Sequence, residues 1–103
     1  NIIRVLVSSV NEQNAANSSM QIKDAIIFYL KKKSVHNVNI MGPFPCLVSK
    51  IENKYRWQIL IKDSEVEIHL IKSIINYILT EKRSVVLLDN VNASVDINPI
   101  NMV

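Results

Sequence analysis

The chain has one glycine, Gly42, among its 103 residues. The two common phosphate-cradling loops, G-x-x-x-x-G-K-S/T and G-x-G-x-x-G, each need several glycines so that the backbone can approach the ligand, and neither can form here. That excludes an autonomous nucleotide site of either kind. The same residue lies in Gly42-Pro43-Phe44-Pro45, the most concentrated break in the chain. Two fixed φ angles beside a glycine predict a corner there without regular structure. No internal repeat or low-complexity linker interrupts the rest.

The segments around that corner carry clear periodicities. Ile2 to Val7 is a short run rich in β-branched residues and reads as a buried strand. Asn11 offers an N-cap, and Ala15, Ala16, Met20, Ile22, Ile26, Ile27 and Leu30 recur at helical spacing. Lys31-Lys32-Lys33 closes that helix, where cations complement its negative end. Val38 and Ile40 form a short extended piece before the corner. Cys46 to Ile51 and Tyr55 to Ile61 then read as a hairpin about a three-residue loop, Glu52-Asn53-Lys54. Ser64-Glu65-Val66-Glu67 is a capping box for a second helix, with Ile68, Ile71, Ile75 and Ile78 on one face. The last β-rich stretch, Val85 to Leu88 and Ala93 to Ile97, is split and stops at Asn98-Pro99. The order β-α-β-β-α-β predicts an α+β fold of the split β-α-β kind, an antiparallel sheet with two helices on one face.

Composition bounds the class. At 49% apolar and 20% charged residues, the chain can bury one core, so residues 1–103 read as a single domain. The single Cys46 cannot make a disulfide framework. No apolar run is long enough to span a bilayer and no signal-peptide pattern opens the chain, so a cytoplasmic protein without a membrane partner is expected. The chain starts at Asn1 without an initiator Met and ends on the apolar Ile100 to Val103, which suggests the last piece of a longer protein. A net charge of +3 leans toward an anionic partner.

No constellation announces catalysis. His36, His69 and Cys46 share no metal-ligand spacing, and Glu65 and Glu67 are accounted for by capping, so no metal and no cofactor are expected on this chain, which by itself is not an enzyme. Asn17-Ser18-Ser19 and Asn92-Ala93-Ser94 match the glycosylation triplet by accident in a cytoplasmic chain. What remains is Lys54 to Lys62. Its alternation sends Tyr55, Trp57, Ile59 and Ile61 to the core, and Lys54, Arg56, Gln58 and Lys62 to the other face, with Leu60 the exception. Lys50 on the neighbouring strand would extend that basic row. Lysines offer point charges to phosphate, and the Arg56 guanidinium can clamp a phosphate or carboxylate with two hydrogen bonds. The row reads either as a binding ridge or as the ordinary solvated face of a half-exposed strand. Lys31 to Lys33 is read as a solvated helix end unless it lies beside the hairpin.

Gly42-Pro43-x-Pro45, then Lys50, then Tyr55-Arg56-Trp57-Gln58-Ile59-Leu60-Ile61-Lys62, and finally Ser94 to Pro99 together resemble the C-terminal domain of the PriA family, bacterial primosomal N′ replication-restart helicases. The family usually carries a second acid where Asn98 stands, which points to a hydrogen-bonding turn before Pro99 rather than a charge. The resemblance implies a module of an ATP-dependent 3′-to-5′ DNA helicase, with ATP, magnesium and zinc held by other domains. Its implied partners are branched or forked DNA, other domains of the helicase and other primosome proteins, and the acidic tail of single-strand-binding protein. DNA contact is expected from Lys50, Lys54, Arg56 and Lys62, and the acidic tail from Lys54, Arg56 and Gln58, with Leu60 in an apolar slot. A small-molecule-binding regulatory domain of similar topology is a third class, since split β-α-β folds host many functions.

Overall fold

Strands and helices alternate as the periodicities require in the computed structural model, which describes residues 1–63 and 68–103. The order is β1 (Ile2–Ser9), α1 (Glu12–Lys32), β2 (Asn39–Ile51), β3 (Lys54–Lys62), α2 (Ile68–Glu81), α3 (Arg83–Val86) and β4 (Val91–Ile97). One four-stranded sheet has the spatial order β2-β3-β1-β4 with every neighbouring pair antiparallel. The expected α+β class and split β-α-β order hold.

The core lies between one face of this sheet and the helices. Ile3, Val5 and Val7 of β1 and Ile59 and Ile61 of β3 pack with Ile22, Ile26 and Leu30 of α1 and with Ile71, Ile74, Ile75 and Ile78 of α2. Successive strand residues point to opposite faces, so burying this set under the helices sends Arg4, Gln58 and Leu60 to the other side.

Helix α1 starts where its cap residue says it should: Asn11 Oδ1 accepts the Asn14 N–H at 3.0 Å. Its buried stripe differs in one respect from the expected one. Met20 is 48% exposed, while Ser18 and Ser19 are buried. Their hydroxyls make this tolerable, because Ser18 Oγ accepts the Leu88 N–H at 2.9 Å and Ser19 Oγ donates to the Ala15 carbonyl at 2.8 Å. The capping box at Ser64 to Glu67 lies outside the described residues.

Three expectations are corrected. The Gly42-Pro43-Phe44-Pro45 segment does not break the chain into separate pieces; β2 runs through it from Asn39 to Ile51. β2 is an edge strand, where a proline's missing N–H faces no partner, and two register irregularities, between Met41 and Phe44 and between Pro45 and Lys50, absorb the rest. The hairpin loop is shorter than expected. Glu52 (φ 52°) and Asn53 (φ 63°) alone make a two-residue turn with both central residues left-handed, the type I′ pattern that matches strand twist, and Lys54 already belongs to β3. Lastly, Val85 to Leu88 is not a strand. Arg83–Val86 forms one helical turn, in which Val86 enters the core and Val85 stays exposed, so packing overrides β-propensity.

Among the described residues of this glycine-poor chain, left-handed turns fall largely on asparagine, at Asn37, Asn53, Asn90 and Asn98, with Ser34 and Glu52 the other non-glycine cases. Glu52 has no such tolerance. Glu52→Gly is therefore expected to raise stability by about 0.5–1 kcal/mol in urea unfolding, and an unchanged or lower midpoint would contradict it.

Candidate functional site

The face of the sheet away from the helices presents Arg4 from β1 and Lys54, Arg56, Gln58, Leu60 and Lys62 from β3. Arg4 pairs across the strands with Leu60, one step diagonal to Gln58, so both side chains can reach each other. Arg4 Nε donates to Gln58 Oε1 at 3.0 Å, and Arg4 Nη2 donates to Cys46 Sγ at 3.3 Å.

This face is only partly open, because the chain turns back over it after β4. Asn98, with φ 49°, closes the turn in both directions: its N–H donates to the Ile2 carbonyl at 2.6 Å and its Oδ1 accepts the Ile2 N–H at 2.8 Å. The hydrogen-bonding role expected for Asn98 ahead of Pro99 is what the geometry shows. The following residues bring two main-chain oxygens to Arg4, that of Asn101 to Nη1 at 3.4 Å and that of Val103 to Nη2 at 3.2 Å. Arg56 Nη1 donates to the same Val103 oxygen at 2.6 Å and to the Val48 carbonyl at 3.0 Å. Arg4 is in consequence only 3% exposed, and Gln58 and Cys46 are buried with it. Among the described residues, no side-chain carboxylate is a hydrogen-bond partner of either guanidinium. Two converging guanidiniums beside an amide are suited to a carboxylate or phosphate oxygen.

The other expected residues are spread out. Lys54 is exposed at the start of β3, opposite Ile51. Lys62 is exposed at the far end of the same strand, roughly 26 Å away at about 3.3 Å per residue. Lys50 is turned elsewhere by the second irregularity of β2. Between Pro45 and Lys50 β2 takes five steps where β3 takes two, and this places Lys50 opposite Tyr55 rather than beside Arg56. Its ammonium sits 4.7 Å from the Tyr55 ring centroid, a cation–π contact. The hairpin end thus carries Lys54 and Arg56 on one face and Lys50 on the other. Lys32 and Lys33 lie on the helix side of the molecule, at a cleft of about 370 Å³ between α1 and α2 lined also by Tyr29, Leu70, Ile74 and Tyr77.

Arg4 was missing from the sequence-based site. Its signal was present, since period-two alternation through Ile3, Val5 and Val7 puts position 4 on the side of Arg56 and Gln58. Reading Ile2 to Val7 as one buried run hid it. Among the described residues, no group of three or more His, Cys, Asp or Glu side chains is placed to hold a metal ion, and no helix is long and apolar enough to cross a membrane.

The family model for the primosomal protein N C-terminal domain matches residues 1–100. The chain belongs to that family. A primosomal C-terminal domain serves DNA replication. A de novo designed protein with a ferredoxin fold, solved by NMR in solution, is similar in structure, with a TM-score of 0.52 at 15% identity over 95% of this chain and 83% of its own. At that identity the likeness concerns the fold alone. A second designed protein, Ferredog-Diesel, aligns with a TM-score of 0.38 at 13% identity, over 94% of this chain and 85% of its own. A comparison with curated proteins finds no match.

Proposed function

We propose that this primosomal domain is a non-catalytic DNA-binding module that meets the phosphate backbone with the β2–β3 hairpin end, in replication restart at stalled or branched forks. The observation that carries the reading is the placing of Lys50, Lys54 and Arg56 within a few residues of one two-residue turn, with Lys50 and Lys54 exposed on its opposite faces. Phosphate contacts carry no base information, so the domain would prefer a DNA shape to a sequence. Lys62 joins only if the duplex runs along β3, a distance of roughly eight base pairs at about 3.4 Å each. On this reading the helicase motor, with its ATP, magnesium and zinc, belongs to other domains of the protein.

The test is the salt dependence of forked-DNA binding by this chain, followed by fluorescence anisotropy. Each phosphate contact contributes about −0.9 to the slope of log K against log salt on duplex DNA. Lys54→Ala and Arg56→Ala are each expected to make the slope shallower by about 1 and to weaken binding to all sequences alike. Lys62→Ala does the same only for a duplex lying along the strand. Salt-independent binding, or wild-type slopes in both hairpin variants, overturns the proposal.

A second reading is favoured by a separate observation, the Val103 oxygen held between Arg4 and Arg56 at 3.2 and 2.6 Å. The same face would take an extended peptide ending in acidic and apolar residues, as in the acidic tail of single-strand-binding protein, with Lys54, Arg56 and Gln58 as its polar contacts. NMR titration with an acidic, Phe-ending peptide should shift the signals of Arg56 and Gln58. Shifts absent there, or confined to the helix side, contradict it.

A further inference from the structure

We infer that the cleft between α1 and α2 is a second DNA contact, in which an unpaired nucleobase stacks on Tyr29 and Tyr77 while Lys32 and Lys33 meet the phosphates that flank it. The inference adds to the hairpin reading and does not rest on it, because the two surfaces share no residue and lie at opposite ends of the domain. β1 sets Ser9 beside Tyr55 near the hairpin turn and Ile2 beside Lys62 at the other end. Helix α1 begins soon after Ser9, and Asn39, a few residues past its last turn, pairs with Lys62. Lys32 and Lys33 therefore stand at the end away from the turn.

Two of the chain's three tyrosines and one of its two phenylalanines gather on this side, and they are not hidden in the core. Tyr29 meets Phe28 and Tyr77 edge to face, at 5.1 and 5.5 Å between ring centroids, which holds the middle ring in a set orientation. The outer two keep much of their surface in solvent, 59% for Phe28 and 42% for Tyr77. Lys32 and Lys33 are exposed beside them, and among the described residues neither is paired with a carboxylate. Flat rings next to unpaired cations are what a single strand needs, since every base has a π-face to stack and the backbone is drawn by charge. An acidic peptide fits the cleft less well. Its cations are lysines, point charges suited to phosphate, and among the described residues no arginine lines it to grip a carboxylate with two parallel bonds. Its walls are helices, so an extended peptide finds no strand edge to join. At about 370 Å³ it has room for a base and its sugar rather than for the row of anchors along an amphipathic helix.

The experiment follows binding of a fluorescent oligothymidylate to this chain by anisotropy at low salt, with an abasic oligonucleotide of equal length beside it. Removing the bases should weaken binding about tenfold, and so should Tyr77→Ala, within the range for losing one base–aromatic stack. Tyr77→Phe keeps the ring and should bind within about twofold of the parent chain. Lys32→Ala and Lys33→Ala should each make the salt slope shallower by about 0.7, the increment per phosphate on a single strand. In NMR spectra the ring signals of Tyr29 and Tyr77 should move as the oligonucleotide is added. The fold of each variant is checked by its unfolding midpoint, and if Tyr77→Ala is unfolded the comparison rests on the abasic strand and the two exposed lysines. Equal affinity for the abasic strand overturns the stacking site, and so does the absence of binding at low salt. Full binding by the cleft variants with loss in Lys54→Ala puts the strand on the hairpin, which overturns the cleft and leaves the hairpin reading standing. Tyr77 signals that move with an acidic, Phe-ending peptide and not with the oligonucleotide make the cleft a peptide site and overturn the inference as well.

Discussion

Gly42→Ala should destabilise the domain by roughly 2–4 kcal/mol, combining the strain of a side chain at an unfavourable φ with overpacking. Gly42 has φ 95°, outside the range that residues with a Cβ readily adopt. A Cβ added there would lie 2.8 Å from the Gln58 carbonyl oxygen and 2.9 Å from Phe44 Cδ1. The phenyl ring could turn aside; the Gln58 carbonyl belongs to the ladder of β3 and cannot. The Gly42 carbonyl is also tied to α1, since Lys23 Nζ donates to it at 2.6 Å, so the corner cannot shift away without breaking that link. A domain of this length is stable by only about 5–15 kcal/mol, so the loss is a large part of the total. Urea unfolding measures it directly. The midpoint should fall steeply at unchanged slope, with exposed Ser49→Ala as a control within about 0.5 kcal/mol of the parent. A Gly42→Ala midpoint equal to the parent's would show that the corner relaxes freely.

Much of this fold was legible because the helices and β3 each have one face committed to the core. Asn11, the spacing of Ile22, Ile26 and Leu30, and the alternation that buries Ile59 and Ile61 are local signals that sufficed, whereas Tyr55 and Trp57, expected in the core on the same alternation, are only half-buried and lie outside it, toward the hairpin end. The misread segments are those where distant partners decide. Pro43 and Pro45 look like a chain break until β2 is known to be an edge strand, which depends on the sheet order and on nothing within residues 39–51. Val85 and Val86 look like strand until Val86 must reach the core in one helical turn. The site was half legible for the same reason. The row on β3 follows from alternation, but the displacement of Lys50 follows from extra residues looped out on the partner strand, which no periodicity records. Leu60 was the one clue to a covered face. An apolar residue in the basic row makes sense once Arg4 and the returning segment lie over that side.

Arg56 belongs to both proposed ligands. It stands at the hairpin end with Lys54 and also shares the Val103 oxygen with Arg4, so a phosphate drawn to the hairpin and a carboxylate drawn to the sheet face compete for one guanidinium. DNA and peptide are therefore expected to interfere when both are present. Lys54 is likewise claimed by both ligands, whereas Lys62, at the far end of β3 and outside the peptide contacts, would serve DNA alone.

Ile59 and Leu60 are consecutive, and their alanine variants should differ sharply. Ile59 is fully buried in the core, paired with Val5 on β1 in a strand that packs against α1, so Ile59→Ala leaves a cavity that rigid neighbours on two elements cannot close. The expected loss is about 3–5 kcal/mol, the upper part of the range for such truncations. Leu60 is nearly as buried, at 9% exposure, yet it points to the face covered by one short segment. A segment held by three hydrogen bonds can settle into the space, so Leu60→Ala should cost about 1–2 kcal/mol, below the usual range because the site can collapse. The two losses are read from urea midpoints, and a variant shortened to end at Pro99 adds a third comparison. In that background Leu60 is expected to be more open to solvent, so its truncation should cost under about 1 kcal/mol, while the cost at Ile59 stays the same because Ile59 lies on the opposite face of the strand. Equal losses at the two positions would mean that both faces of β3 are packed alike, and the sheet would then have no face left for a ligand.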